Sequence, residues 1–155
     1  MNIIFLSPFN IANPSREQQT DFIMENAFAS AALNGYGEVY DYTRLPKAPE
    51  LKEFVVCTVR EKKPRWVVGA GLSATVLAGM RIPRRILINP TITFDDLNNV
   101  PDHVRETTYG YFDLNHEADY ERFCSVYPNA ALILEPWLDI EQIAPMIKDI
   151  CCNQE

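Results

Sequence analysis

Residues 64–80 read PRWVVGAGLSATVLAGM, and the fold is decided in this stretch. Its first part, Trp66 to Val68, is apolar and rich in the residue types that buried strands favour. Small residues follow from Gly69 to Gly71, and a helical pattern begins near Leu72. The stretch therefore predicts a short strand that turns directly into a helix.

A sharp strand-to-helix turn is the shape of a nucleophile elbow, in which a Gly-x-Ser-x-Gly pentapeptide lifts a serine above a parallel sheet. The pentapeptide here reads Gly69-Ala70-Gly71-Leu72-Ser73. Gly71 stands where the serine would be, and Ser73 replaces the final glycine. We interpret the stretch as an elbow that keeps its backbone without its nucleophile, and we expect a positive φ at Gly71.

The chain on both sides of the elbow alternates between strand and helix patterns. Such alternation favours an α/β fold, here a three-layer sandwich with a six-stranded, mainly parallel sheet and helices on both faces. The length of 155 residues fits a single domain over 1–155. The predicted strands are 1–6, 38–43, 66–68, 85–89, 107–112 and 130–134; the predicted helices are 15–34, 46–63, one from 72, 117–126 and 139–150, and 91–106 is a loop with one short helix.

Composition narrows the classes of function. The formal net charge is −7, which argues against a nucleic-acid surface, and we expect Arg81, Arg84 and Arg85 to solvate the entrance to a buried strand. The sequence shows no leader and no apolar run of about 18 residues, so we expect a cytoplasmic protein that does not bind membranes. The four cysteines lack metal-type spacing and are read as free thiols.

Several short motifs, in order, resemble the short α/β-hydrolases, in particular the small bacterial YqiA-type esterases. The likeness runs along nearly the whole chain and implies the fold given above. The motifs are Phe5-Leu6-Ser7-Pro8-Phe9-Asn10, where the first strand ends in a turn, the elbow, Ile88-Asn89-Pro90, Gly110-Tyr111-Phe112-Asp113 and Tyr127-Pro128-Asn129.

The resemblance also implies a Ser, Asp, His triad in that chain order. The serine position is Gly71, and the acid position keeps a carboxylate in Asp113. The histidine should fall near Pro136 or Trp137, but the only histidines are His103 and His116. Without a nucleophile and a base within reach of it, we expect no catalytic residues and a degenerate member of the family, in which Asp113 has no imidazole to orient.

The isolated polar residues have simpler interpretations. Asp113 is expected to cap the turn after its strand, and His116 to be a solvated loop residue. Ser73 lies in the first turn of the elbow helix, where a hydroxyl commonly satisfies a backbone N–H. None of them predicts a metal site, and no cofactor is expected.

The oxyanion hole of this fold is made of backbone N–H groups, which do not depend on side chains. We therefore predict a remnant cleft that binds a small anionic or carbonyl ligand, or a protein partner. Two other hypotheses stay open: an active esterase or thioesterase that uses Ser7 or Ser73 as nucleophile, and a flavodoxin-like receiver or nucleotide-binding module. The residues predicted to line the cleft are Phe9, Asn10, Gly71, Leu72, Ser73 and Asp113.

Overall fold

The computed structural model describes residues 3–6, 37–40, 48–136 and 140–153. Within them lie six strands and six α-helices, together with a 3₁₀ turn at Leu114–His116. The predicted helix 15–34 lies outside the described residues. The strands are β1 Ile3–Leu6, β2 Gly37–Tyr40, β3 Trp66–Ala70, β4 Arg85–Ile88, β5 Thr108–Phe112 and β6 Asn129–Leu132; the helices are α1 Ala48–Lys62, α2 Leu72–Ala78, α3 Phe94–Leu97, α4 Asp102–Arg105, α5 Glu117–Cys124 and α6 Ile140–Asn153.

All strand pairs in the sheet are parallel, and the spatial order is β2-β1-β3-β4-β5-β6. The α/β class and the parallel sheet predicted from the alternation are thus confirmed. Because parallel strands all end on the same side, the residues after β3, β4 and β5 meet at one edge of the sheet.

Two apolar clusters show how the sheet is covered. Side chains alternate along a strand, so Ile4 and Leu6 join one cluster while Ile3 and Phe5 join the other. The first cluster contains buried residues of α1, α2 and α5, and the second contains buried residues of α6. Helices therefore cover both faces of the sheet, in agreement with the prediction.

The elbow helix α2 lies close against β3 because the strand has a glycine, Gly69, where the helix packs on it. A Cβ on Gly69 would come within 2.7 Å of Cδ1 of Leu77 and 3.1 Å of the backbone nitrogen of Ala74. The second of these atoms is backbone and cannot swing aside. Gly69 therefore sets the distance between strand and helix, and so the position of the turn that joins them.

Two expectations need correction. Residues 91–106 contain two short helices, α3 and α4, where one was predicted. Helix α3 begins with a capping box between Thr93 and Asp96, and this motif spans only four residues. Arg85 does not solvate a strand entrance, because its side chain is fully buried.

Buried Arg85 is surrounded by acceptors from α2, the turn after it, β5 and the loop before β6. Its Nη1 donates to the carbonyl of Leu77 in α2 and to that of Met80 just after the helix. Its Nη2 donates to the Tyr127 hydroxyl over 2.9 Å, and its Nε donates to Oγ1 of Thr108 over 3.0 Å. Burial lowers the pKa of Arg85 from its ordinary value. An arginine nevertheless stays charged at neutral pH, so a cation holds the carboxyl end of α2.

None of the helices in the described part of the chain combines the length and the apolar character that crossing a membrane requires.

Candidate ligand site at the carboxyl ends of the strands

Gly71 forms the turn between β3 and α2, with φ 60° and ψ −125°. Its N–H donates to the carbonyl of Ile88 over 2.9 Å, and its own carbonyl accepts from the N–H and the hydroxyl of Thr75 at 3.1 and 3.2 Å. The backbone is thus held from β4 on one side and from α2 on the other. The positive φ predicted for Gly71 is confirmed, and side chains rarely tolerate this conformation.

The other predicted cleft residues are placed differently. Leu72 is half-buried and packs against the first apolar cluster, whereas Ser73 is 0% exposed. A fully buried hydroxyl does not face a cleft, so Ser73 does not line the surface above Gly71. Phe9 and Asn10 lie outside the described residues.

Asp113 follows β5 at the same edge of the sheet as Gly71. The register pairs Ala70 with Ile88 and Ile88 with Tyr111, so the ends of β3 and β5 are two strand spacings apart. At about 4.8 Å per spacing, this separates them by roughly 10 Å. Gly71 and Asp113 therefore lie at the same edge of the sheet, with β4 between their strands.

Asn89 fills the position between them and was not predicted as a site residue. It follows β4 with a φ of 50°, which asparagine tolerates better than most residues, and its N–H donates to the carbonyl of Tyr111 over 2.8 Å. Its side chain bonds Asp113 twice, through Oδ1 to the backbone N–H at 3.0 Å and through Nδ2 to Oδ2 at 2.9 Å. A polar residue directly after a buried strand was the signal that could have identified it.

His116 completes this group of polar residues. Its Nδ1 lies 2.7 Å from Oδ1 of Asp113, and its backbone N–H donates to the Asp113 carbonyl over 3.0 Å. Two expectations for Asp113 were therefore wrong: it does have an imidazole beside it, and its carboxylate makes no cap hydrogen bond to the 3₁₀ turn. The His116 side chain is 34% exposed, while that of Asp113 is 2% exposed. The separation of three residues was the signal that could have predicted this pair, because side chains at i and i+3 are neighbours in a helical turn.

A separate cavity of about 290 Å³ lies along β5 and β6. The described residues that line it carry no ionisable group except two phenols. Burial raises the pKa of Tyr111 above its ordinary value of 10.0. Tyr111 therefore stays protonated at neutral pH, and the cavity offers little chemistry compared with the strand ends. The lining residues are Tyr109, Gly110, Tyr111, Pro128, Asn129, Ala130 and Ala131.

Among the described residues, no three His, Cys, Asp or Glu side chains are grouped so as to hold a metal ion. A scan of the sequence against models of known protein families finds no match, and no curated protein matches the chain.

Proposed function

We propose that the chain is a catalytically degenerate domain of the minimal α/β-hydrolase type, which binds a small anionic or carbonyl ligand at the carboxyl ends of β3, β4 and β5. The observation that carries the proposal is Gly71, whose φ of 60° and ψ of −125° form a strand-to-helix turn without a side chain. At the position where a hydrolase of this fold would have its nucleophilic side chain, this chain has only backbone atoms. A ligand oxygen would therefore approach the Gly71–Leu72 backbone and form no covalent bond.

The strand order supports the proposal, because ligands of open parallel sheets bind outside the carboxyl ends of the strands, where neighbouring connections leave in opposite directions. The connection after β1 leads to β2 on one side, and the connection after β3 leads to β4 on the other, so the strand order reverses between β1 and β3. Gly71 directly follows β3. The polar side chains of Asn89 and Asp113 follow the next two strands. The candidate site thus has a backbone turn at one end and a buried carboxylate at the other.

The competing hypothesis, an active esterase or thioesterase, needs an activated serine. Ser73 is fully buried, so it is poorly placed to attack an ester. Ser7, the other serine proposed as nucleophile, lies outside the described residues. The burial of Ser73 favours the non-catalytic proposal over this alternative.

The test is a titration of the ¹⁵N-labelled chain with sodium acetate, followed by amide NMR and compared with sodium chloride at equal ionic strength. We expect acetate-specific shifts at the amides of Gly71 and Leu72, and none at Gly79, which lies at the far end of α2 and serves as an internal control. Equal shifts in both salts would overturn the proposed site.

The same preparation is then treated with p-nitrophenyl esters and a fluorophosphonate probe. We expect no hydrolysis above background and no adduct. An adduct mapped to Ser7 or Ser73 would overturn the proposal in favour of the esterase or thioesterase.

A further inference from the structure

A group of three hydrogen-bonded polar residues lies beside the candidate site: Asn89, Asp113 and His116. The binding of an anion or a carbonyl by the backbone at Gly71 does not explain why these side chains are connected. We propose that Asp113 and His116 act as a proton-accepting pair, in which Nε2 of His116 accepts a proton from a hydroxyl-bearing ligand. This inference rests on the proposed function, because it assigns a second contact to the same site. Asn89 is the positioning residue of the pair.

The orientation of the Asn89 amide follows from the backbone. The N–H of Asp113 can only donate, and its acceptor at 3.0 Å is Oδ1 of Asn89. The Nδ2 group of Asn89 must then point the other way, where it meets Oδ2 of Asp113 at 2.9 Å. Asn89 therefore donates to one oxygen of the carboxylate and fixes its plane.

The other carboxylate oxygen is thereby directed to the histidine. Oδ1 of Asp113 lies 2.7 Å from Nδ1 of His116, which is the short distance of a charge-assisted hydrogen bond. An ionised carboxylate can only accept, so Nδ1 carries the proton. A neutral imidazole with its proton on Nδ1 leaves Nε2 as an acceptor, and this is the arrangement in which a carboxylate orients a general base.

Nε2 is also reachable. The His116 side chain is 34% exposed, and in the part of the chain that the structure describes Nε2 has no hydrogen-bond partner. When a ligand hydroxyl gives up its proton, the O–H bond breaks, the N–H bond forms at Nε2 and the electron pair stays on the ligand oxygen.

The chain supplies its own control in His103, its only other histidine. His103 lies on α4 and is exposed, and no carboxylate is paired with its ring among the described residues. Any property that the pairing confers on His116 should therefore be missing from His103 in the same sample.

The first measurement is the ring ¹⁵N spectrum of the full chain under conditions where both imidazoles are neutral, with His103→Gln used to assign the signals. We expect the His116 proton on Nδ1 and the His103 proton mainly on Nε2. If the proton of His116 is found on Nε2 in the unmodified chain, the proposal is wrong, and this result requires no variant to fold.

The second measurement uses Asp113→Asn. The Nδ2 group of Asn89 would still take the oxygen of the new amide, so the amide NH₂ would face Nδ1 of His116 and move the ring proton to Nε2. We expect acylation of His116 by diethylpyrocarbonate to fall by roughly 10-fold, because one hydrogen bond of ordinary net strength now favours the tautomer whose Nε2 carries the proton, while His103 keeps its rate.

An unchanged rate at His116 in a folded Asp113→Asn variant would overturn the pairing. Neither readout depends on acetate. A chain that passes these tests but shows no acetate-specific shifts retains the proton-accepting pair and loses the proposed anion or carbonyl contact.

Discussion

At the scale of single residues, Gly71 has a backbone conformation that strongly favours glycine. A φ of 60° combined with a ψ of −125° lies outside the regions open to residues with a Cβ, at a cost of about 1–3 kcal/mol. Residues with a side chain that are held in such a conformation are mostly found at functional sites. Glycine adopts it without that strain.

We therefore predict that Gly71→Ala lowers the free energy of unfolding by about 1–2 kcal/mol in urea denaturation. Gly79→Ala is the matched control, because Gly79 has an ordinary helical φ of −76° and a Cβ there would meet its nearest atom at 3.5 Å. That control should leave stability unchanged or raise it by up to about 1 kcal/mol. Equal effects of the two substitutions would contradict the strain at Gly71.

At the scale of elements, Arg85 connects the end of α2 to the opposite end of the sheet from the candidate site. Helix α2 has seven residues and ends without a basic residue of its own in the last turn. Its last carbonyls are instead met by the Arg85 guanidinium, which comes from β4. The cation thus holds α2 at one end while Gly71 begins it at the other.

Arg85→Leu should lower the free energy of unfolding by about 2–4 kcal/mol, since it leaves the Met80 carbonyl and the Tyr127 hydroxyl without their donor. Arg85→Lys should recover only part of this loss, because one ammonium cannot reproduce the planar fork of donors. Arg84→Leu, at the exposed neighbouring position, serves as the control in chemical denaturation and should change stability by less than about 0.5 kcal/mol. Full recovery by lysine would show that charge alone, and not the fork, holds α2.

At the scale of the whole molecule, α6 packs against the sheet through a face that includes an ionisable thiol. Cys151 is 0% exposed and belongs to the cluster that contains Ile143 and Ile147. Burial raises the pKa of the Cys151 thiol to about 12 from its ordinary value of 9.0, and the neighbouring Cys152 adds to the shift. The folded state therefore holds this proton more tightly than the unfolded chain does.

The stability that this thiol contributes is fully present below pH 9.0 and is lost as the pH rises toward about 12. We predict that the free energy of unfolding, measured in urea at pH 7.5 and at higher pH, falls with a slope of at most about 1.4 kcal/mol per pH unit from this group. Cys151→Ala should be less stable at pH 7.5 but should show a shallower alkaline slope. Cys57→Ala, at an exposed position on α1, should show the same dependence of the unfolding free energy on pH as the unmodified chain. If Cys151→Ala also shows that dependence, the Cys151 thiol is not the group responsible.

The amino-acid sequence was enough to predict the alternation of strands and helices, the parallel sheet and the turn at Gly71. These features follow from local patterns, because apolar runs predict buried strands and small residues between a strand and a helix predict a tight turn. Only the tertiary structure decided that Arg85 is buried and that Asn89, Asp113 and His116 form one group. Asn89 and Asp113 are 24 residues apart and meet because β4 and β5 are neighbours in the sheet. Hydrogen-bond partners of this kind depend on which strands lie side by side. The residues next to Asn89 and Asp113 in the sequence do not predict that order of strands.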